Sequence, residues 1–369
     1  MRRLISFRDF DWLLLTFVLL ICSLGVLEVY SSTYGTKFAS TTGMPLYIKQ
    51  IYWIAGGLVL MFMVSMINYQ VLLENAHWFY VASIVSLLAV TFLGTKHLGA
   101  RRWIMLPHGQ HFQPSEWVKL VLIIAFAKYF SGENDRAASS SDVVKAGLIA
   151  AVPMLLVLKQ PDLGTALTYV PVAVMGLFLG GIQVRHTLII LLVAGVLAPT
   201  VWLKVLKPYQ KERLTVFLHP DADSQKSGYQ LEQSKIAVGS GGIWGKGIRQ
   251  GTQTQGSFLP EPFTDFIYAA WAEEHGFVGA VALLLLYFLV LMRLIHNAQT
   301  APDSAGGFVV MGVVAVLLFH ILVNAGMVVG YMPVTGIPLP LMSYGGSSLL
   351  FMFLALGVVM NIRMRRFVN

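Results

Sequence analysis

The stretch FDWLLLTFVLLICSLGVLEVY, residues 10–30, decides the class of this chain. An almost unbroken apolar run of this length matches one crossing of a bilayer, which takes about 20 residues of helix. Arg2, Arg3 and Arg8 precede it, and it continues past Leu24 and Leu27 without a small-residue cleavage site, so it reads as an uncleaved first span rather than a secretory signal. Working outward, further runs follow at about 48–67, 77–95, 115–130, 143–158, 164–182, 186–206, 265–293, 306–328 and 344–362. That makes ten candidate spans. The fifth is short and holds Pro153, which leaves its ends weakly defined. Gly and Pro within such runs are tolerated because neighbouring helices satisfy the freed backbone groups.

Composition agrees. Of 369 residues, 56% are hydrophobic and only 12% charged, against roughly 45–50% and 25% in soluble domains. Soluble enzyme folds, disordered scaffolds and disulfide-stapled secreted domains are excluded, and the lone Cys22 has no partner for an intrachain bridge. The net charge of +8 resides in loops between apolar runs, a pattern that fits membrane orientation and an anionic substrate better than nucleic acid. With alternating spans, eleven Lys and Arg residues fall on the side that carries the termini and six on the short loops opposite, so both termini are expected in the cytoplasm. The expected fold is an all-α polytopic membrane protein of about ten transmembrane helices, one membrane domain over 1–369. A large extracytoplasmic loop, 208–263, joins spans seven and eight. Tyr209, Tyr229, Ile236, Trp244 and Phe258 argue that this loop is partly ordered, re-entrant against the bilayer, and functional.

Ionisable groups at membrane depth are costly and mark functional candidates. Arg101, Arg102 and Trp103 lie in the outer loop after span three, against the usual charge bias. Paired arginines there can grip a phosphate or pyrophosphate, or snorkel to lipid head groups beside an interfacial tryptophan. Next, Gln113-Pro-Ser-Glu-Trp-Val-Lys119 opens span four, with Ser115 as candidate N-cap and Glu116 and Lys119 on one helix face. Those two either pair with each other or meet an anionic substrate in a cavity. In Lys159-Gln-Pro-Asp-Leu-Gly164, Asp162 is placed to cap the following helix. Lastly, Asp265 stands at the mouth of span eight; Thr264 or Asp265 would serve as cap, but Asp265 is also the best-placed base. Glu273 and Glu274 follow, yet one helix cannot aim all three acids into one pocket.

Gly239–Gly251 does not match a P-loop, no strand–glycine–helix context supports a dinucleotide site, and His108 and His111 read as solvated rather than metal-bound. There is also no zinc-protease pattern, nucleophile elbow or aromatic-studded basic face.

The strings GARRWI (99–104), QPSE (113–116), QPDLGTA (160–166), LPEPFTDFIYA (259–269) and PLMSYGGSS (340–348) together resemble the SEDS family of shape, elongation, division and sporulation proteins, over about 7–366. Gly251-Thr-Gln-Thr-Gln255 and the short N-terminal tail look like the elongation member rather than the division member. The resemblance implies a peptidoglycan glycosyltransferase that polymerises lipid II at the outer face of the bacterial cytoplasmic membrane. Asp265 matches the family's catalytic aspartate, Glu116 and Lys119 match polar cavity residues, Asp162 the QPD aspartate, and Ser347 falls in SYGGSS. Three positions depart from the family: Phe263 where histidine is frequent, Tyr268 for phenylalanine, and His275 for leucine.

The implied reaction is an inverting displacement. Asp265 would take the proton of the acceptor hydroxyl as general base, and Arg101, Arg102 and Lys119 would meet the departing pyrophosphate. A divalent cation (Mg2+ or Mn2+) would be compatible and no organic cofactor is expected. Partners implied are the nascent glycan strand, a class B penicillin-binding protein acting as transpeptidase, and other elongation-complex proteins. Competing readings are a lipid II flippase or ion-coupled transporter, a non-catalytic scaffold, and the division-type polymerase.

Overall fold

The computed structural model describes residues 9–39, 43–97, 100–106, 110–132, 138–218 and 227–366. Arg2, Arg3, Arg8, Gly99, His108 and Arg136 lie outside them, as do the side chains of Arg101, His111 and Tyr209. Helix is the only way a single segment pairs its own backbone groups in hydrocarbon, and each apolar run obeys. The helices are α1 (Trp12–Thr33), α2 (Leu46–Met66), α3 (Tyr69–Glu74), α4 (Ala76–Leu93), α5 (Pro114–Ser131), α6 (Ser140–Lys159), α7 (Leu163–Leu167) and α8 (Tyr169–Leu179). They continue with α9 (Val184–Thr200), α10 (Pro208–Leu218), α11 (Ser227–Ser240), α12 (Thr252–Gln255), α13 (Ile267–Gln299), α14 (Ser304–Val329) and α15 (Gly346–Met364).

Among the described residues, eight helices are long and apolar enough to cross a membrane: α1, α2, α4, α6, α9 with the π turn that extends it, α13, α14 and α15. The other two expected spans are α5, which carries Glu116, Lys119 and Lys128, and the shorter apolar pair α7–α8, interrupted at Thr168. Pro153 does not shorten the fifth: α6 runs unbroken through it and starts on a Ser139–Asp142 capping box. Burial sorts the layers. In α15, 78% of the most apolar window is buried and in α14 67%, which makes them the centre, whereas α9 at 6% stands at the periphery.

Two connecting segments add detail to the sequence reading. The segment between α4 and α5, expected as a loop, forms a three-stranded antiparallel sheet, β1 (Thr95–His97), β2 (Ala100–Leu106) and β3 (Gln110–Phe112), with Thr95 opposite Trp103 and Ile104 opposite Phe112. Segment 208–263, expected as a partly ordered loop, holds the helices α10, α11 and α12.

Helix α13 is broken. Gly276 sits at φ +66°, ψ −166°, left-handed backbone that glycine adopts without strain, and divides α13 into a nine-residue lead-in and a long second part. Turn 241–247 occupies the gap: Phe277 and Val278 N–H donate to the Gly242 and Ile243 carbonyls, and the Glu273 and Glu274 carbonyls accept from Lys246 and Gly247 N–H. These four bonds satisfy backbone groups on both sides of the break, as a membrane interior requires. At the opposite end of the bundle, Asp11 caps α1 and joins Arg293, Asn297 and Arg363, while Asp9 meets Arg366 at 3.2 Å, so the two ends of the described chain meet.

Candidate active site

The site is assembled at the bundle end where α5, α7, α13 and α15 begin and α6 and α14 finish. Asp265 lies ahead of the spanning helix α13, in turn segment 259–266, whose Leu259 and Phe266 are anchored in the core. Neither Thr264 nor Asp265 caps that helix; the N-cap is Phe266, without a side-chain bond. Instead the backbone is held from outside: Asn324 Nδ2 donates to the Asp265 carbonyl (2.8 Å), Ser343 Oγ to the Thr264 carbonyl (2.7 Å) and Tyr344 N–H to the Phe263 carbonyl (2.9 Å). The Asp265 carboxylate is half-buried and, among the described residues, accepts no hydrogen bond and makes no ion pair. It faces Gly336, where a methyl in place of hydrogen would stand 3.2 Å from Asp265 Oδ2 and 3.7 Å from an Arg213 guanidinium nitrogen. With φ at +72° as well, Gly336 is required both by its backbone and by the close approach of these two charges.

Burial pushes the Asp265 carboxyl up to about 6. Arg213 pulls it back most strongly, Glu261 raises it, Arg102 lowers it and Asp162 raises it. Glu261 is itself raised by burial. Two cations and two further acids, from four different segments, are thus within electrostatic reach of Asp265.

Asp162 does cap α7: it accepts from Thr165 N–H (3.1 Å) and Thr165 Oγ1 (2.9 Å), and also from Gln113 Nε2 (2.9 Å), with Arg102 Nη1 at 3.8 Å. Capping and electrostatic roles therefore coincide in one residue. Ser115 is not the N-cap of α5. Pro114 takes the first helical position, where its missing N–H costs nothing, and pushes the cap back to Gln113. Ser347 Oγ accepts from the Gln113 N–H at 3.2 Å, tying α15 to this turn. Trp103 lies half-buried on β2.

Glu116 and Lys119 pair at 2.9 Å. Lys119 is wholly enclosed, its ammonium 3.4 Å from His320 Nε2 and over the Phe351 ring at 4.4 Å, and Glu116 is 5% exposed. One turn up α14 from His320 comes Asn324. His320 Nδ1 lies 3.1 Å from the Pro338 carbonyl, and Asn324 Nδ2 bridges the carbonyls of Asp265 and Ile337. A polar seam thus runs from Asp265 down the face of α14 to the Lys119–Glu116 pair.

Glu273 and Glu274 are directed elsewhere. Glu273 takes Lys246 Nζ (2.9 Å), the backbone N–H groups of Gln253 and Thr254, and the hydroxyls of Ser240, Thr252 and Thr254, pinning segment 240–254 to the lead-in of α13. Glu274 bonds Ser31 of α1.

Sequence reasoning missed Arg213, Glu261, Gly336, His320 and Asn324. A signal existed for the last two: a polar pair four residues apart in an otherwise apolar run shares one helix face. Among the described residues, no cluster of three acid or histidine ligands within 4.8 Å includes Asp265. The donor set there does not fit a protein-held metal.

The family FTSW_RODA_SPOVE, described as "Cell cycle protein", matches residues 11–367. The peptidoglycan glycosyltransferase MrdB of Escherichia coli K12 is 38% identical over 86% of this chain and 85% of its own length. The peptidoglycan glycosyltransferase RodA of Treponema pallidum is 33% identical over 99% of this chain and all of its own. Among solved structures, a chain described under "Structural coordination of polymerization and crosslinking by a peptidoglycan synthase complex" superposes with TM-score 0.81 at 34% identity, covering 98% of this chain and 99% of that one. The rod shape determining protein RodA of Thermus thermophilus superposes with TM-score 0.72 at 29% identity, covering 98% of both.

Proposed function

This chain belongs to the FtsW–RodA–SpoVE family of membrane proteins, and from that membership we propose that it is a peptidoglycan glycosyltransferase polymerising lipid II during cell elongation. The observation that carries the chemistry is the half-buried, unpaired Asp265 carboxylate, raised to about 6, within electrostatic reach of the guanidinium groups of Arg213 and Arg102. A general base works best with a pKa near the operating pH, and an unengaged lone pair is what an incoming hydroxyl needs.

The sugar hydroxyl of the acceptor delivers its proton to Asp265 as its oxygen attacks the anomeric carbon of the donor. The bond to the lipid pyrophosphate breaks on the opposite face, so configuration inverts and no protein nucleophile is required. Charge growing on the leaving oxygens is met by Arg102 and Arg213, with Arg101 on the same strand as Arg102. Lys119 and Glu116, enclosed together, act from beneath as a fixed polar floor joined to Asp265 through His320 and Asn324. Asp162 and Ser347 hold Gln113, Thr165 and Arg102 in register, and Trp103 lines the approach.

In this reading the Asp265 end of the bundle faces outward from the cytoplasmic membrane and the Asp9–Arg366 end faces the cytoplasm, in line with the loop charges. Chain 1–369 acts as one membrane domain, with 208–263 on the outer side. A class B penicillin-binding protein would cross-link the strands, a pairing supported by likeness to a synthase complex described by polymerisation and crosslinking. The test is incubation of detergent-purified protein with labelled lipid II and separation of products on a gel. Polymer from wild type and none from Asp265→Asn is the expected result. Scrambling of lipid II across a bilayer without polymer would overturn the enzyme reading in favour of a flippase.

A further inference from the structure

The kink in α13 sets a second group of ionisable side chains against α1. Glu28, Glu274 and His275 place one potential ligand atom each within 4.8 Å of the others. Glu28 is completely buried and neither of its carboxylate oxygens has a hydrogen-bond partner. Glu274, 1% exposed, receives the Ser31 hydroxyl at 2.6 and 2.7 Å. Among the described residues no Lys or Arg side-chain nitrogen lies within 4.0 Å of either carboxylate, and the Arg249 backbone N–H and the Gln255 amide act on Glu274 alone. The contrast with neighbouring Glu273 is direct, since that acid has Lys246 and five further donors. Buried carboxylates are paired with cations or coordinate metals, and here the cation is missing from the protein.

We propose that Glu28, Glu274 and His275 form a binding site for one divalent transition-metal cation, best matched by Zn2+, which clamps the outer end of α1 to the lead-in of α13. Two carboxylates with one imidazole is a donor set that Zn2+ and Mn2+ accept. The histidine is prepared for it: its Nδ1 stands 3.3 Å from the Trp271 carbonyl and its ring stacks on Trp271 at 3.6 Å between centroids. A Nδ1–H donated to that carbonyl leaves the Nε2 lone pair for a metal, the outer-shell arrangement that ligating histidines use. His275 is only half-buried, so the cluster has a way in. The cluster lies at the far end of the α13 lead-in from Asp265 and takes no part in the proton transfer proposed above.

The full chain, purified in detergent and stripped with EDTA, is titrated with ZnCl2, and bound zinc per chain is read by elemental analysis after dialysis alongside the thermal unfolding midpoint. One Zn2+ per chain and a raised midpoint are expected. Glu28→Gln keeps the volume of the side chain, and His275→Phe keeps the stack on Trp271; each should weaken zinc binding at least about 100-fold, the upper end of what loss of an outer-shell partner causes. Because the amide removes an unpartnered buried charge, Glu28→Gln should unfold at a higher temperature than wild type in EDTA yet gain nothing from zinc, which separates loss of ligand from loss of fold. Less than about half an equivalent of zinc on wild type, or equal binding by both variants, overturns the proposal. So does a midpoint indifferent to Zn2+ and Mn2+, which would mean that the two carboxyls share a proton instead.

Discussion

Asp11 and Asp265 stand at opposite ends of the bundle, each just ahead of a long helix, and they are held in opposite ways. Asp11 caps α1 through the Leu14 N–H, receives Arg293 Nε on both oxygens at 3.0 and 2.9 Å, takes Asn297 Nδ2 at 2.9 Å and has Arg363 at 3.2 Å. Its lone pairs are all used. Asp265 has its backbone fixed on three sides and its carboxylate left open, with Arg213 and Arg102 near enough to act on its charge but not bonded to it. A saturated carboxylate is a fastener; an unsaturated one held by its backbone is costly to keep and able to accept a proton.

The contrast is sharpest in turnover. Asp265→Asn should lower lipid II polymerisation by about 10²–10⁴-fold, the usual range for removing a general base, whereas Asp11→Asn should leave turnover per folded molecule unchanged. Equal losses in the gel assay would erase the distinction. In stability the order reverses. Asp11→Ala leaves Arg293 and Arg363 facing an empty site and should cost about 3–5 kcal/mol, seen as a large fall in unfolding midpoint, while Asp265→Asn should raise the midpoint.

A smaller effect is expected at Arg213. Arg213→Gln should raise the apparent KM about tenfold, as loss of one charge-assisted contact does. Because Arg213 lowers the Asp265 pKa, its removal should also move the acidic limb of the rate profile to higher pH. An unmoved limb would separate Arg213 from Asp265. Least of all is the effect of pH on stability. With the folded value near 6 and an unfolded value of about 3.9, the folded state binds the proton more tightly. Asp265 therefore contributes stability that is fully present below about pH 4 and lost as pH rises through about 6. Wild-type activity should fall about tenfold per unit below pH 6, and Asp265→Asn should abolish this part of the stability slope.

What could be read in advance was local. The ten apolar runs, the cap at Asp162 and the Glu116–Lys119 pair depend on residues within one or two turns of each other, and all three took the form their spacing implied. Asp265 was legible as a base because it ends a polar segment where a span begins. Arg213 was not, since nothing in 208–218 marks which of its charges the folded chain will turn toward Gly336. The same holds for Lys246 on Glu273 and Ser31 on Glu274, contacts that cross 27 and 243 positions. The sheet over 95–112 was hidden by the shortness of β1 and β3. His320 and Asn324 share one face of an otherwise apolar helix, but what they hold there, the carbonyls of Pro338, Ile337 and Asp265, is set by the folding of other segments against α14.

The break at Gly276 also alters how depth is measured along α13. Counting thirty-three residues as one rod would bury Glu273 and Glu274 about 12–14 Å below Asp265, at 1.5 Å per residue. The part after the glycine, 277–299, is by itself about 35 Å long and already crosses the hydrocarbon. The lead-in is therefore shielded by protein, since Ile267 to Glu274 are all buried, and side chains turned outward begin only after the bend, where Phe277 and Val278 are exposed; cysteine labelling should find that boundary.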